Sequence, residues 1–192
     1  MRSKISFAKI LFLLSYIKRK WQKYFSILHI NEQEKLVGVW LKGQKYFGGT
    51  IGSEFTANDN LEIFRLTKAW LDRYFRGDKP EISEIPLAPI GNTFGQRIWQ
   101  ILCEIPYGEV WTYGKIAQII AQERGKTTMS AQAVGGAVGH NPISIIIPCH
   151  RVVGTNGNLT GYAGGIQTKI ALLSLEGVNI KELFVPKHST TL

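Results

Sequence analysis

A cysteine, a histidine and an arginine stand together in Cys149-His150-Arg151, directly after the apolar run Ile145-Ile146-Ile147-Pro148. A thiol beside an imidazole offers a nucleophile beside a base, the pairing that covalent group transfer needs, since a free thiol with pKa about 8.5 is only a few per cent ionised at neutral pH. The β-branched run, closed by a proline that has no N–H for the next ladder position, reads as a core strand over 143–148 ending at the protein surface. Strand alternation would send Cys149 and His150 to opposite faces, so either the chain leaves strand geometry here or something bridges the two. A core thiol beside a histidine satisfied by backbone is the bland alternative. Glu176 is the third reactive candidate: on a helix through Ile166, Ile170, Leu173 and Glu176, steps of four, three and three keep the carboxylate on the inward face, where it needs a partner.

The elements that must hold these groups follow from apolar spacing. From Ser26 to Gly49 a strand pair turning at Asn31 to Lys35 is expected. A helix over 58–76 has Leu61, Phe64, Leu71 and Phe75 as its inward stripe, Asn58 or Asp59 as its cap and Gly77 as its stop. Pro80, Pro86 and Pro89 make 77–92 an extended segment and the expected domain boundary. Further helices are expected over 93–103, 112–122, 130–139 and 166–176. The pair 112–122 and 130–139 is spaced like a helix-turn-helix, a weak signal by itself. The division expected is a basic, apolar leader over 1–24, an N-terminal α/β domain over 25–88, a second domain over 89–180 that carries Cys149, His150 and Glu176, and a C-terminal tail over 181–192.

The second helix of that pair, Ser130 to Gly139, has almost no side-chain bulk and three interior or terminal glycines. Each interior glycine costs roughly 1 kcal/mol relative to alanine, so a close approach must compensate. Tight packing inside the protein and contact with an outside surface both meet that need. The net charge of +9 suggests a polyanionic partner, but Arg2, Lys4, Lys9, Lys18, Arg19, Lys20 and Lys23 fall in residues 1–24 without an acid, leaving only +2 for the rest. The leader is too short and interrupted to span a bilayer, which takes about 20 apolar residues. It carries no small-residue cleavage pattern; a basic helix lying on a membrane surface is the remaining membrane reading, and a nonfunctional or mis-started leader with no membrane partner is the expectation. Cys103 and Cys149 lack metal or disulfide spacing, which fits a reducing, cytoplasmic setting, and Cys103 reads as core beside Phe94, Ile98, Trp99 and Leu102.

Ile105-Pro106-Tyr107-Gly108, Trp111-Thr112-Tyr113-Gly114, Ala131-Gln132-Ala133-Val134-Gly135-Gly136-Ala137, Asn141-Pro142, the PCHRVV core, Gly161-Tyr162-Ala163-Gly164-Gly165 and Glu176 occur in this order. The set resembles the methylated-DNA–protein-cysteine methyltransferases, over residues 94–177. The resemblance implies an α+β fold: a small ribonuclease-H-like N-terminal domain, then a mostly helical, winged-helix-like domain with a helix-turn-helix. The family's first strand, with its Ser-Pro-Leu-Gly turn, is missing.

The implied activity is single-turnover transfer of the methyl group from 6-O-methylguanine in duplex DNA to Cys149, with 4-O-methylthymine as a second candidate substrate, no cofactor, no metal and a monomeric protein. Glu176 would orient His150, which draws the proton from Cys149 through a water, and Asn141 would hold the turn. Tyr113 would crowd the phosphate and donate to guanine N3. Ala131, Ala133 and Gly135 would lie against the minor-groove walls. Gln132 stands where the family has an arginine that fills the gap left by the extruded base; it lacks the cation and the planar fork. Tyr162 would pack on the base, the Ala163 amide would reach the 6-oxygen, and the carbonyls of Cys149 and Val152 would accept the guanine amino group. Arg151 would contact phosphate or brace the loop.

Two other classes compete. A non-enzymatic lesion binder would lack the cysteine, and a cysteine hydrolase would need direct Cys149–His150 contact, an oxyanion hole and turnover.

Overall fold

Six buried residues in a row, Leu36–Leu41, form strand β2, paired antiparallel with β1 (Phe25–Ile30), in a computed structural model that describes residues 25–30, 33–49 and 61–186. Burial of the whole strand requires cover on both sides. Its backbone is tied on by Leu36 N to Pro86 O (2.8 Å) and Ala88 N to Leu36 O (2.8 Å) at one end, and by Val39 N to Pro142 O (2.9 Å) and Ser144 N to Val39 O (2.8 Å) further along. The segment that precedes Cys149 is therefore hydrogen-bonded to the N-terminal hairpin.

Helix α1 (Glu62–Arg76) buries Phe64, Trp70, Leu71, Tyr74 and Phe75 and ends at Gly77, whose φ of 92° is open to glycine without strain. The helix starts at Glu62, later than the expected 58, with Leu61 before it making no side-chain cap; Asn58 and Asp59 lie outside the described residues, as does the leader. Helices α2 (Thr93–Cys103), α3 (Tyr113–Glu123) and α4 (Ala131–Gly139) are each capped by the polar residue before them: Asn92 accepts from Gly95 N, Thr112 from Lys115 N and Ser130 from Ala133 N. Helix α5 (Ile166–Leu175) follows the glycine loop. A short parallel pair joins β3 (Trp111–Thr112) to β4 (Val152–Val153). The architecture is α+β.

The expected strand over 143–148 does not form. Ile143, Ser144 and Ile147 make isolated bridges, the chain turns back through Ile147 N to Ile143 O (3.1 Å), and Ile145 sits at φ 72°. The run is apolar because it is buried on every side, a property a packed loop shares with a core strand. The buried Asn141 side chain takes the place of a neighbouring strand: its Nδ2 donates to Ile143 O (3.3 Å) and Ile147 O (2.8 Å), and its Oδ1 accepts from Ile143 N (3.0 Å).

One hydrophobic cluster runs from Leu36 and Phe75 through Ile98, Ile116 and Val134 to Cys149 and Leu172; a smaller one gathers Val153, Leu159, Ile170, Leu173, Ile180 and Leu183. Residues 181–186 of the expected tail are docked, with Phe184 N on Gly157 O and Leu159 N on Phe184 O. Cys103 is half-buried against the larger cluster, and burial pushes its thiol up to about 11. Among the described residues no helix is long and apolar enough to cross a membrane.

Candidate active site

Cys149–Arg151 is one turn of 3-10 helix. With three residues per turn, successive side chains leave about a third of a circle apart. The chain thus leaves strand geometry, and the three reactive residues face three surroundings.

Cys149 is 6% exposed, and its Sγ accepts from Asn141 Nδ2 at 3.1 Å. Burial raises its pKa, against the Asn141 hydrogen bond and the charge of Lys169, so the thiol rests protonated at neutral pH and needs a base.

His150 is fully buried and places Nε2 2.7 Å from Glu176 Oε1. A carboxylate only accepts, so Nε2 carries the proton and Nδ1 presents a lone pair. Nδ1 is buried and meets no protein partner among the described residues. Burial lowers the imidazole pKa, against the raising effect of Glu176, which keeps the ring neutral.

Glu176, buried at the C-terminal end of α5, gathers donors from four places. Tyr74 Oη donates to Oε1 (2.7 Å), Arg151 Nε to Oε2 (2.8 Å) and Nη2 to Oε1 (3.1 Å), and the Gly108 amide to Oε2 (3.3 Å), alongside His150. Burial alone would raise this carboxyl; the hydrogen bonds from His150 and Arg151, together with the Arg151 charge, outweigh it and hold the group well below the usual carboxylate range. Gly108, at φ 82°, is needed for this approach, because a Cβ there would lie 2.9 Å from Glu176 O.

Of the two roles expected of Arg151, a phosphate contact or a brace for the loop, its surroundings favour the second. Arg151 is 5% exposed, its Nη1 donates to Ile105 O at 2.6 Å, its guanidinium lies 5.5 Å from the Tyr107 ring centroid, and its other nitrogens serve Glu176. It braces the turn through these contacts.

Tyrosines and a glycine loop pack beside the cluster that contains Cys149. Tyr113 opens α3 half-buried and donates to Thr160 O (3.4 Å) and Gly161 O (3.2 Å), its phenol raised by burial. Tyr162 Oη is buried without a hydrogen-bond partner among the described residues, and burial raises that phenol too. A side chain at Gly164 would strike Leu41 and Tyr162, which explains glycine there. Ala163 O accepts from Lys45 N at 3.0 Å.

Two residues that sequence reasoning passed over belong to this network. Tyr74 reaches Glu176 from a helix 102 residues earlier and lies 3.3 Å from His150 Nε2. Lys169 is fully buried, donates through Nζ to Val152 O and to Thr160 O (3.2 Å), and is lowered by burial to about 8. It stands three and seven residues before Leu172 and Glu176, on the inward face of α5, and a lysine on an apolar face was the signal available. Val152 O, expected to face the base, holds Lys169; a carbonyl has a second lone pair for another donor.

On α4, Val134 and Val138 point inward, while Ala131, Gln132 and Ala133 are exposed and Gly135 lies against Tyr113. A Cβ added at Gly136 or Gly139 would meet no atom within 4 Å. Packing among the described residues therefore does not account for those two glycines, and among those residues nothing blocks a close approach to them by another surface.

The profile of the family described as 6-O-methylguanine DNA methyltransferase, DNA binding domain, matches residues 93–178. A methylated-DNA–protein-cysteine methyltransferase of Haemophilus influenzae is 48% identical over 152 residues, covering 79% of this chain and 80% of that protein. One of Methanosarcina acetivorans is 47% identical over 119 residues, covering 62% of this chain and 72% of that protein. Among solved structures, Mycobacterium tuberculosis OGT in complex with DNA aligns with TM-score 0.65 at 37% identity, covering 83% of this chain and 86% of that one.

Proposed function

The chain belongs to the methylated-DNA–protein-cysteine methyltransferases, and from that premise we propose how its own residues carry out direct DNA repair by alkyl transfer to a cysteine. A methyl group on the guanine 6-oxygen is inside the duplex, so the nucleotide must be extruded, at a cost of about a few kcal/mol. The glycine-rich outer face of α4 fits against the minor groove, with Ala131, Ala133 and Gly135 along the sugar-phosphate walls and Gln132 filling the gap in the stack. The base enters between Tyr113 and Tyr162, with the Ala163 amide and the carbonyls of Cys149 and Val152 reading its edge.

His150 Nδ1 takes the proton of Cys149 through a bridging water. Glu176 keeps the imidazole in the tautomer that leaves Nδ1 basic, and Asn141 donates to the sulfur as charge develops there. The thiolate attacks the methyl carbon in line: the S–C bond forms, the C–O bond to guanine breaks, and the electron pair stays on the guanine. Tyr113 donates a proton to that anion at N3 and recovers one from the relay, so the thiol proton ends on the restored base. A thioether is a poor leaving group, and each molecule acts once.

The observation that carries this reading is Sγ bonded to Asn141 at 3.1 Å beside a buried His150–Glu176 pair at 2.7 Å. A cysteine hydrolase would instead pair sulfur and imidazole directly, and here His150 Nδ1, the nitrogen that Glu176 leaves free to act as base, meets no protein partner among the described residues. We further propose a cytoplasmic monomer divided near 88, with substrates that extend to 4-O-methylthymine.

Incubation with duplex DNA carrying an isotopically labelled methyl group, followed by peptide mass spectrometry, is expected to place one label per protein molecule on Cys149. Label on Cys103, or more than one turnover, would refute the assignment.

A further inference from the structure

We propose that Lys45 and Tyr46, in the turn after β2, complete the mouth above Cys149 and contact the sugar-phosphate of the extruded nucleotide. The inference rests on the alkyl-transfer reading and adds a DNA-contacting surface outside the segment 93–178. Its basis is a closed circuit of contacts.

A Cβ at Gly135 on α4 would touch the Tyr113 ring at 3.8 Å. Tyr113 Oη reaches Gly161 O at 3.2 Å. Two residues on, Ala163 O accepts from Lys45 N at 3.0 Å. The Tyr46 ring stacks on His140 with centroids 3.9 Å apart and planes 25° apart, and His140 Nδ1 lies 2.7 Å from Gly136 O, back on α4. The circuit adjoins the surroundings of the sulfur: Asn141, the residue after His140, bonds Sγ at 3.1 Å, and Tyr113 and Tyr162 pack against the core cluster that contains Cys149. A purine that reaches Cys149 passes through this ring of contacts. Its phosphates, too polar to follow, stay at the rim.

The chemistry of the 44–47 turn suits that position. Residues 35–49 contain Lys35, Lys42 and Lys45 and no acid. Lys45 Nζ lies 5.0 Å from the Tyr46 ring centroid, and Tyr46 and Phe47 are 42% and 41% exposed. Tyr46 holds φ at 60°, a left-handed conformation that bulky residues avoid. The turn is fixed there by the buried Gln44 side chain, whose Oε1 accepts from Leu41 N at 2.7 Å and from Ser144 Oγ at 2.8 Å. Backbone strain of this kind persists where surroundings over-determine it, and it collects at ligand clamps.

Single-turnover methyl transfer is measured on a duplex carrying 6-O-methylguanine and on the free base 6-O-methylguanine, which has no phosphate. Wild-type protein must label Cys149 from the duplex; if it does not, the alkyl-transfer reading itself fails. For Lys45→Ala, the slope of log affinity for the duplex against log salt concentration is expected to become less negative by about 0.9, the loss of one phosphate contact. Tyr46→Gly, which suits the backbone and removes the ring, is expected to keep its melting temperature and slow the duplex reaction relative to the free base. An unchanged salt slope together with an unchanged duplex rate would overturn the proposal. Equal slowing on duplex and free base would overturn it too, since the residues would then be shaping the pocket.

Discussion

At Glu176, a carboxylate with no access to water is balanced by Arg151, two neutral donors and the His150 ring. Removing one partner from a buried charge pair leaves the other uncompensated, at a cost of about 3–5 kcal/mol. Glu176→Gln is therefore expected to do two things at once: slow methyl transfer, and lower the urea midpoint because Arg151 is left buried without its anion. An unaltered midpoint would mean that Arg151 finds another partner.

The same residues set the pH response. His150 is held below its usual value, so the unfolded chain binds a proton at higher pH than the folded chain does. Its contribution to stability is present at pH 7 and is lost as pH falls below about 6.5. The depressed Glu176 acts in the same direction but lower, its contribution lost only as pH falls below about 4.3. Urea midpoints at pH 7, 5.5 and 4 are expected to fall in that order, and a flat profile from 7 to 5.5 would show that His150 is not held neutral. Cys149, His150 and Glu176 were readable in the sequence because a local run and one helical spacing expose them. Tyr74 was not, because nothing in a helix stripe says which aromatic will meet a carboxylate 102 residues away.

At the scale of elements, helices α2 to α5 were legible from capping residues and apolar spacing, within one or two residues at each end. The 143–148 strand was not. Ladder partners are what distinguish a strand from a buried loop, and here the Asn141 amide supplies them. Helix α4 carries the prediction at this scale. Gly136 is exposed with room for a Cβ, so Gly136→Ala is expected to stabilise the protein by about 1 kcal/mol through helix propensity alone. The same methyl group would stand between α4 and the groove wall. Melting temperature is therefore expected to rise while duplex affinity falls. A variant that gains stability and binds DNA unchanged would remove this face from the interface.

For the molecule as a whole, the sequence suggested a division near residues 77–92, but it could not show how the two parts meet, since that depends on which buried faces match. The larger cluster runs from Leu36 and Phe75 to Cys149 and Leu172, and β2 is hydrogen-bonded to the segment before the active-site cysteine. A shared core of this kind is expected to unfold in one step, with tryptophan fluorescence and far-ultraviolet dichroism tracing the same urea transition. Two separated transitions would mean that the N-terminal part melts by itself.

The indole of Trp99 donates to Ala137 O at 2.9 Å, which fixes the ring to the back of α4. Any strain that docking sends along that helix reaches a fluorophore already in place. Tryptophan emission is thus expected to change on adding duplex DNA, an optical gauge of engagement that needs no attached dye.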